Sequence, residues 1–364
     1  MSDIDRPSKT STSGSDGERA RTRLSMVDVA AHAGVSLGTV SNVLNRPELV
    51  AERTQRRVRS SIAALGFVPN APARQLRGGR SRTVGVVVRE IGSPYFSEIL
   101  PGLESKLAKE QFLLMVCSSD DSPDKEAYYL KTLEEHRVAG ILISPAGDDI
   151  EHLIALRQRG VGVVLLDRLG VGSQLCAVAV NNVQGGDLAG DHLFSLGHRR
   201  IGFLNGPSTV RQCADRREGL HRAARRAGLD PDEAISEITL SVLNAQGGET
   251  GLAQLLDDER RPSAIFCIND MVAVGVLRDL EKRGIAAPGE MSVVGYDDVE
   301  FAALLSPALT SIRMPKQQLG QAAAELLVTD FRADDNHWHQ EIVFQPELII
   351  RASTAPPPTS GQAS

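Results

Sequence analysis

Seven short apolar runs restrict the fold of this chain more than any other feature: TVGVVV (83–88), FLLMVC (112–117), GILIS (140–144), GVVLLD (162–167), IGFLN (201–205), AIFCIN (264–269) and SVVGY (292–296). Each is short, rich in Val, Ile and Leu, and lacks polar alternation, which is the pattern of a strand buried on both faces. Between the runs lie stretches of helical periodicity near 94–110, 124–136, 150–159, 183–196, 213–227 and 270–283. Strand and helix in alternation predict parallel sheets covered by helices on both sides. The roughly 270 residues involved are many for one such sheet, so two doubly wound α/β lobes are expected. Ligands in such folds sit outside the carboxyl ends of the strands, and two lobes add a cleft.

The chain before residue 82 is built differently. The formal charge of the whole is −6, yet Arg21 to Arg82 holds 11 Arg, no Lys and only 3 acidic residues, leaving +8 on this segment and −14 on the rest. A small basic module on a larger acidic body is the asymmetry of a segment that docks on phosphates. Three helical patterns follow closely between Ser25 and Gly66. The first has a cap at Ser25 with Asp28 three residues on and ends at Gly34; the second opens at Ser36; the third runs from about Glu52 to Leu65 and stops at Gly66. Two helices joined by a short Gly-containing turn and braced by a third predict a helix-turn-helix head.

Its second helix, within GVSLGTVSNVLN (34–45), is unusual for a surface helix because it carries no charge. Val35, Val40, Val43 and Leu44 fall on the inward side, leaving Leu37, Gly38, Ser41, Asn42 and Asn45 outward, with Thr39 beside them. A helix facing only water is usually filled with Glu, Lys and Arg. A small, uncharged, hydrogen-bonding face suits base edges in a DNA major groove, where Ser and Asn bond to bases and Leu packs on a thymine methyl. The next piece, NAPARQLRGG (70–79), has Arg74 and Arg77 flanking Leu76. It reads equally as a flexible linker or as a segment that folds on DNA and wedges Leu76 into the minor groove.

Other classes are poorly served. No G-x-x-x-x-G-K-[ST], G-x-S-x-G or H-E-x-x-H is present, so no enzyme is expected. Cys117, Cys176, Cys213 and Cys267 are far apart, and His192, His198, His337 and His339 lack ligand spacing, so neither metal nor other cofactor is expected. The first residues lack the apolar stretch of a signal peptide and no run approaches a membrane span, which predicts a cytoplasmic protein. Residues 1–23 and 353–364 have the composition of disordered tails.

Candidate ligand residues cluster at strand ends. Tyr95 and Phe96 follow the first strand of the body, Asp167 and Arg168 end a later one, Arg216 lies on the helix after IGFLNGP, Asn269 and Asp270 follow AIFCIN, and Asp297 ends SVVGY. Carboxylates and Arg bind paired hydroxyls, and an aromatic stacks on a sugar or base. Asp270 reads also as a helix cap and Arg216, beside Arg217, as a solvated face.

The segments MVDVAAHAGVSLGTVSNVLNRPELV and LGFVPNAPARQLRGGRSRTVGVVV, followed by SPYFSEI, LLDR, GHRRIGFLNGP, CINDMVAVG, VVGYDD and LSPALTSIRMP, resemble the lactose/galactose repressor (LacI/GalR) family over residues 25 to 351. The resemblance implies a homodimeric repressor on a pseudo-palindromic operator, with hinge helices in the minor groove and Leu76 at the wedge position. It implies a helix-turn-helix domain at 24–69, a hinge helix and linker at 70–81, and an effector-binding and dimerisation body of periplasmic-binding-protein type at 82–352. Three crossings would divide that body into an N-lobe (82–180 and 310–328) and a C-lobe (181–309 and 329–352). The family's effector residues match the strand-end positions above, which suits a small carbohydrate; a co-repressor such as a purine is the alternative. Asn42 stands where many members have Arg, removing a guanine contact, and Pro72 replaces a more usual apolar residue.

Overall fold

The computed structural model describes residues 24–68, 81–170, 172, 174–258, 260–332 and 338–358. The chain divides between Arg80 and Ser81 into two compact units. The expected hinge segment, with Arg74, Leu76 and Arg77, lies outside the described residues apart from Ser81, as does the expected tail at 1–23.

The first unit contains α1 (Met26–Ala33), α2 (Leu37–Asn45), a 3₁₀ turn (Pro47–Leu49) and α3 (Glu52–Leu65). Ser25 and Asp28 form a reciprocal capping box on α1, and Gly34 closes it at φ 61°, a left-handed conformation open to glycine at little cost. The three helices bury Val29, Ala33, Val40, Val43, Val58 and Phe67 in a common core. Gln55 on α3 donates from Nε2 to Pro47 O (2.7 Å) and Val50 O (2.8 Å), tying the turn to the third helix.

The second unit holds two six-stranded sheets of matching design. Its elements in order are β1 (Thr83–Val88), α4 (Pro94–Lys109), β2 (Leu113–Ser118), α5 (Pro123–Glu135), β3 (Gly140–Ile143), α6 (Glu151–Gln158), β4 (Gly162–Leu166), β5 (Cys176–Val180) and α7 (Asn182–Ser195). There follow β6 (Ile201–Asn205), α8 (Arg211–Arg226), α9 (Pro231–Ala234), β7 (Ile235–Thr239), α10 (Ala245–Asp257), β8 (Ala264–Cys267) and α11 (Asp270–Arg283). The last are β9 (Ser292–Asp297), β10 (Thr310–Arg313), α12 (Lys316–Arg332), β11 (Glu341–Phe344) and β12 (Glu347–Ile349). The first sheet runs β11-β5-β4-β3-β1-β2, the second β12-β10-β9-β8-β6-β7. Every pair is parallel except β10 with β12. β1, β3, β4, β5, β6, β8 and β9 are buried along almost their whole length, as strands covered on both faces must be.

The structure corrects four expectations. β2, taken from FLLMVC as doubly buried, is an edge strand with Leu113 65% and Met115 39% exposed. The lobes exchange chain at different points: β10 (310–313) joins the second sheet, α12 returns to pack on α4 of the first lobe, β11 (341–344) stays with the first sheet and β12 with the second. The four-residue sequences TSIR and EIVF are too short to signal which sheet they complete. α10 was absent from the helical pattern because AQGGETG reads as a loop; Gly248 and Gly275 instead let α10 and α11 approach so closely that an added Cβ would meet Val272 O at 2.1 Å and Ala245 O at 1.8 Å. Residues 353–358, expected to be disordered, lie against the second sheet, because Ser353 Oγ donates to Val293 O (2.6 Å) and accepts from Thr310 N (2.8 Å), while Val293 N donates to Ser353 O (2.8 Å).

Candidate functional site: an uncharged helix face and an interlobe cavity

α2 presents the surface expected of it. Ser36 caps the helix, accepting from Thr39 N (3.1 Å) and pairing with the Thr39 hydroxyl (2.9 Å), so Thr39 is engaged in holding the helix start. Leu37 is 43% exposed, and Gly38, Asn42 and Asn45 are exposed beside it. Asn45 Nδ2 donates back to Ser41 O at 2.9 Å, fixing the far end of the face. Arg53, Arg56, Arg57 and Arg59 stand exposed on α3, in a unit with few acids.

The second candidate is a cavity between the carboxyl ends of the two sheets. Its walls are the loop after β1 with Arg89 and Glu90, the first turn of α4 with Tyr95 and Phe96, Asp121, Asp167 after β4, the first turns of α8 with Gln212, Cys213 and Arg216, Asn269 after β8, and Asp297 at the end of β9. The strand order reverses between β1 and β3 in one sheet and between β6 and β8 in the other, so the cavity occupies the switch points of both. Asp121 (φ 56°), Asp167 (φ 55°) and Asp297 (φ 103°) all hold a positive φ that L residues seldom adopt. Backbone strain of this kind persists where the surroundings enforce it and gathers at ligand sites.

The side chains are buried and charged. Arg216 donates from Nε to Asn182 Oδ1 (2.9 Å) and from Nη1 to Ile268 O, and its guanidinium lies over the Tyr296 ring, 3.5 Å from the centroid. It is therefore a fixed internal cation, not a solvated face. Asp167 receives Gln212 Nε2 on its carbonyl (2.7 Å) and on Oδ2 (3.2 Å). Its Oδ1 and the Tyr95 hydroxyl are buried with no well-formed hydrogen bond to any other group, and they act on each other, Tyr95 pulling the Asp167 carboxyl down and Asp167 pushing the Tyr95 phenol up. Burial pushes the Asp297 carboxyl up to about 8, against the pull of Arg216 and with a further push from Asp270. Burial likewise raises Asp167, opposed by Arg216, and lifts Tyr95 well above its ordinary value.

Three expected residues are engaged within the fold, Asn269 and Asp270 while lining the cavity and Arg168 in the space beside it. Asp270 is fully buried, accepting Ser311 Oγ (2.6 Å) and Val299 N (2.9 Å), and so braces β9 against β10. Asn269, not Asp270, is the cap of α11: it accepts from Val272 N (2.8 Å) and donates to Leu243 O (3.0 Å). Arg168 turns from the inner cavity to the loop after β3, donating to Gly147 O and Asp148 O. Arg89, Gln212 and Cys213 line the cavity without having been singled out in sequence; Arg89 ends VVVR, the same strand-end signal that drew attention to Asp167.

Among the described residues no group of three or more His, Cys, Asp or Glu could hold a metal, and no helix is long and apolar enough to cross a membrane. His192 pairs with Thr354 Oγ1 (3.0 Å) and His198 with Ser263 Oγ (2.8 Å) and Ala355 O (3.0 Å), so both serve the docked C-terminal segment.

Comparison with known proteins agrees with this two-part layout. Residues 25–70 match the family model of bacterial regulatory proteins, lacI family, and residues 190–354 that of a periplasmic binding protein-like domain. The HTH-type transcriptional repressor PurR of Aliivibrio salmonicida is 33% identical over 332 residues, covering 90% of this chain and 97% of the relative. A lac repressor dimer solved with operator and the anti-inducer ONPF superposes with a TM-score of 0.79 at 27% identity, over 92% of this chain and all of that one. A LacI family regulator from Enterococcus faecium solved with ribose gives 0.68 at 30% identity, over 75% and 99%.

Proposed function

The chain belongs to the lacI family of DNA-binding transcriptional repressors, a non-enzymatic family, and from that premise we propose that a small carbohydrate in the interlobe cavity sets its affinity for an operator. The observation that carries the proposal is a buried carboxyl and phenol, Asp167 and Tyr95, whose Oδ1 and hydroxyl have at most each other as partners, in the lining of a cavity that also holds Asp297 and Arg216. Buried polar groups without partners are costly, and a polyol supplies both donors and acceptors to satisfy them. Asp167, Asp297 and Arg216 bind hydroxyls, Phe96 and Tyr95 form the apolar wall, Asn269 and Asp270 hold strand ends in place, and Arg168 serves the cavity mouth. A purine co-repressor is the second reading. The likeness to PurR repressors favours it, whereas Tyr95 and Phe96, which pack edge to face 5.0 Å apart, are the aromatic rings among the described lining residues and leave a flat base one aromatic side at most.

On the DNA side, Leu37, Gly38, Ser41, Asn42 and Asn45 meet the major groove, with Thr39 at the helix start. Arg74, Leu76 and Arg77 take the minor-groove role by resemblance. A homodimer belongs to the same proposal, since the open edge of β2 with Leu113 and Met115 is an apolar surface that a second copy would cover. The lobes are joined by three chain crossings, at Asn181, at Met314–Pro315 and near Gln345, so a ligand that contacts both can alter their angle. Effector and operator then select different arrangements of one dimer, and each changes the affinity of the other. The test is thermal melting of the full chain with ribose, glucose, hypoxanthine and guanine. A sugar-specific rise that Asp297→Ala removes supports the proposal; a rise with the purines alone overturns the carbohydrate reading.

A further inference from the structure

We infer that the effector is an anionic sugar, its neutral hydroxyl-bearing part in the inner cavity and its anionic group in the adjoining space between Arg168 and Arg211. The inference rests on the carbohydrate reading above and deepens it.

A second, smaller space adjoins the inner cavity, and Arg89, Val210 and Gln212 line both. Their linings differ in charge. Five carboxyl groups and two Arg line the inner space, whereas three Arg (Arg89, Arg168 and Arg211) and one carboxylate, Asp148, line the outer one. Arg168 comes from the first lobe, after β4, and Arg211 from the second, at the start of α8. Each guanidinium feels the other's charge, and that repulsion helps hold the Arg168 value below the ordinary range, behind desolvation.

None of the three Arg is fully consumed. Among the described residues the largely exposed Arg211 pairs with its i,i+4 neighbour Asp215, at 3.1 Å, a type of pair easily exchanged for a better one. Arg168 spends two nitrogens on the carbonyls of Gly147 and Asp148, and its distance to the Asp148 carboxylate is 3.6 Å. Arg89 pairs with Asp121. A phosphate or carboxylate between guanidiniums of opposite lobes makes charge-assisted bonds to both and removes their repulsion. In the inner space Arg216 is already held by Asn182 Oδ1 and Ile268 O and cannot turn to the same group. Polarity thus fixes the ligand's direction: hydroxyls inward, anion outward. The anion also bridges the lobes, which ties its recognition to their relative angle.

The experiment is calorimetric titration of the full-length protein, at constant ionic strength, with matched probes: glucose, glucose 6-phosphate and glucuronate; ribose and ribose 5-phosphate; and inorganic phosphate. The wild type should bind an anionic sugar at least about tenfold tighter than its neutral counterpart. Arg211→Ser should erase that preference while changing neutral-sugar affinity less than about twofold, and Arg211→Lys should restore part of it. Arg211 is largely exposed, so folding is not at issue, and Arg168→Gln gives an independent second variant from the other lobe. Tight phosphate esters with weak glucuronate identify a phosphorylated sugar; the reverse identifies a sugar acid, and both sustain the inference. Equal affinity for neutral and anionic sugars, or a preference that survives both Arg substitutions, overturns the inference and leaves the carbohydrate reading standing. Absence of binding by every sugar overturns both.

Discussion

The outward face of α2 and the interlobe cavity are both proposed to bind a partner, and they are built in opposite ways. The helix face is regular backbone with ordinary caps, no charge and no buried polar group. The cavity concentrates positive φ, raised carboxyls, a buried Arg and unbonded polar atoms. A face that docks in a groove needs shape and hydrogen-bonding capacity, and it keeps its water until DNA arrives. A cavity that must respond to a small molecule needs groups already desolvated, so that the ligand satisfies what the empty fold leaves unmet. The difference predicts that substitutions on α2 change binding without changing stability, whereas substitutions in the cavity change both.

The largest break comes from the cavity. Asp297→Ala should abolish the effector response, costing about 2 kcal/mol or more of ligand affinity, over about 30-fold, because it leaves ligand hydroxyls without their acceptor. Ligand-free operator binding, measured by fluorescence anisotropy, should stay within about twofold of wild type. Loss of both would mean that Asp297 supports the fold of the whole body.

On the helix, Asn42→Arg should change base preference at one position per half-site by about 1–3 kcal/mol, with an unchanged melting temperature, as read by binding to an operator series. A drop in stability would place Asn42 in the packing of the head. This single substitution separates recognition from folding more cleanly than any in the cavity.

Proton linkage gives the third contrast. The Asp297 carboxyl, raised to about 8, is mostly protonated at neutral pH without ligand, and a hydroxyl donor prefers the ionised form. Ligand affinity should therefore rise with pH and level off above about 8, by at most about tenfold per unit. Stability runs the other way: a carboxyl raised on folding contributes stability that is lost as pH climbs from its ordinary 3.8 through about 8. Calorimetry across pH 6 to 9 and melting over the same range check the two signs; Asp297→Asn should flatten the affinity curve and reduce the slope of the melting curve, leaving the part contributed by Asp270, whose carboxyl burial pushes up to about 7. Operator affinity without ligand should show no matching step.

The smallest effect is a gain. Asp167→Asn keeps a residue tolerant of φ 55° and removes a buried carboxyl, so the ligand-free melting temperature should rise by roughly 2–4 °C while the ligand-induced rise disappears. A lower melting temperature would show that Asp167 is satisfied within the fold and is not held in readiness for a ligand.

What was readable in sequence follows the same division. Ser36, Gly34 and the spacing of Val40 and Val43 specify α2 locally, and its exposed face could be named residue by residue. The strand ends that carry Asp167, Arg216 and Asp297 were equally visible, because the alternation of apolar runs and helices marks them. The direction of side chains was not. Arg168 and Asp167 are neighbours in sequence, yet one reaches the loop at Gly147 and the other the cavity. The cap of α11 fell to Asn269 and not to Asp270 for the same reason: which of two short polar residues caps a helix depends on the φ and ψ of the turn. Lobe membership of β10 and β11 was hidden because strands of four residues carry no preference for one sheet over another.

The central claim is that one chain couples the cavity to the helix. The most direct measurement selects bound sequences from a random double-stranded DNA pool with the purified protein, at a stated salt concentration, once without ligand and once with the sugar that binds most tightly. A palindrome enriched in one condition and bound at least about tenfold more weakly in the other is the predicted result. Identical enrichment and affinity in both, with the sugar demonstrably bound, would contradict the coupling.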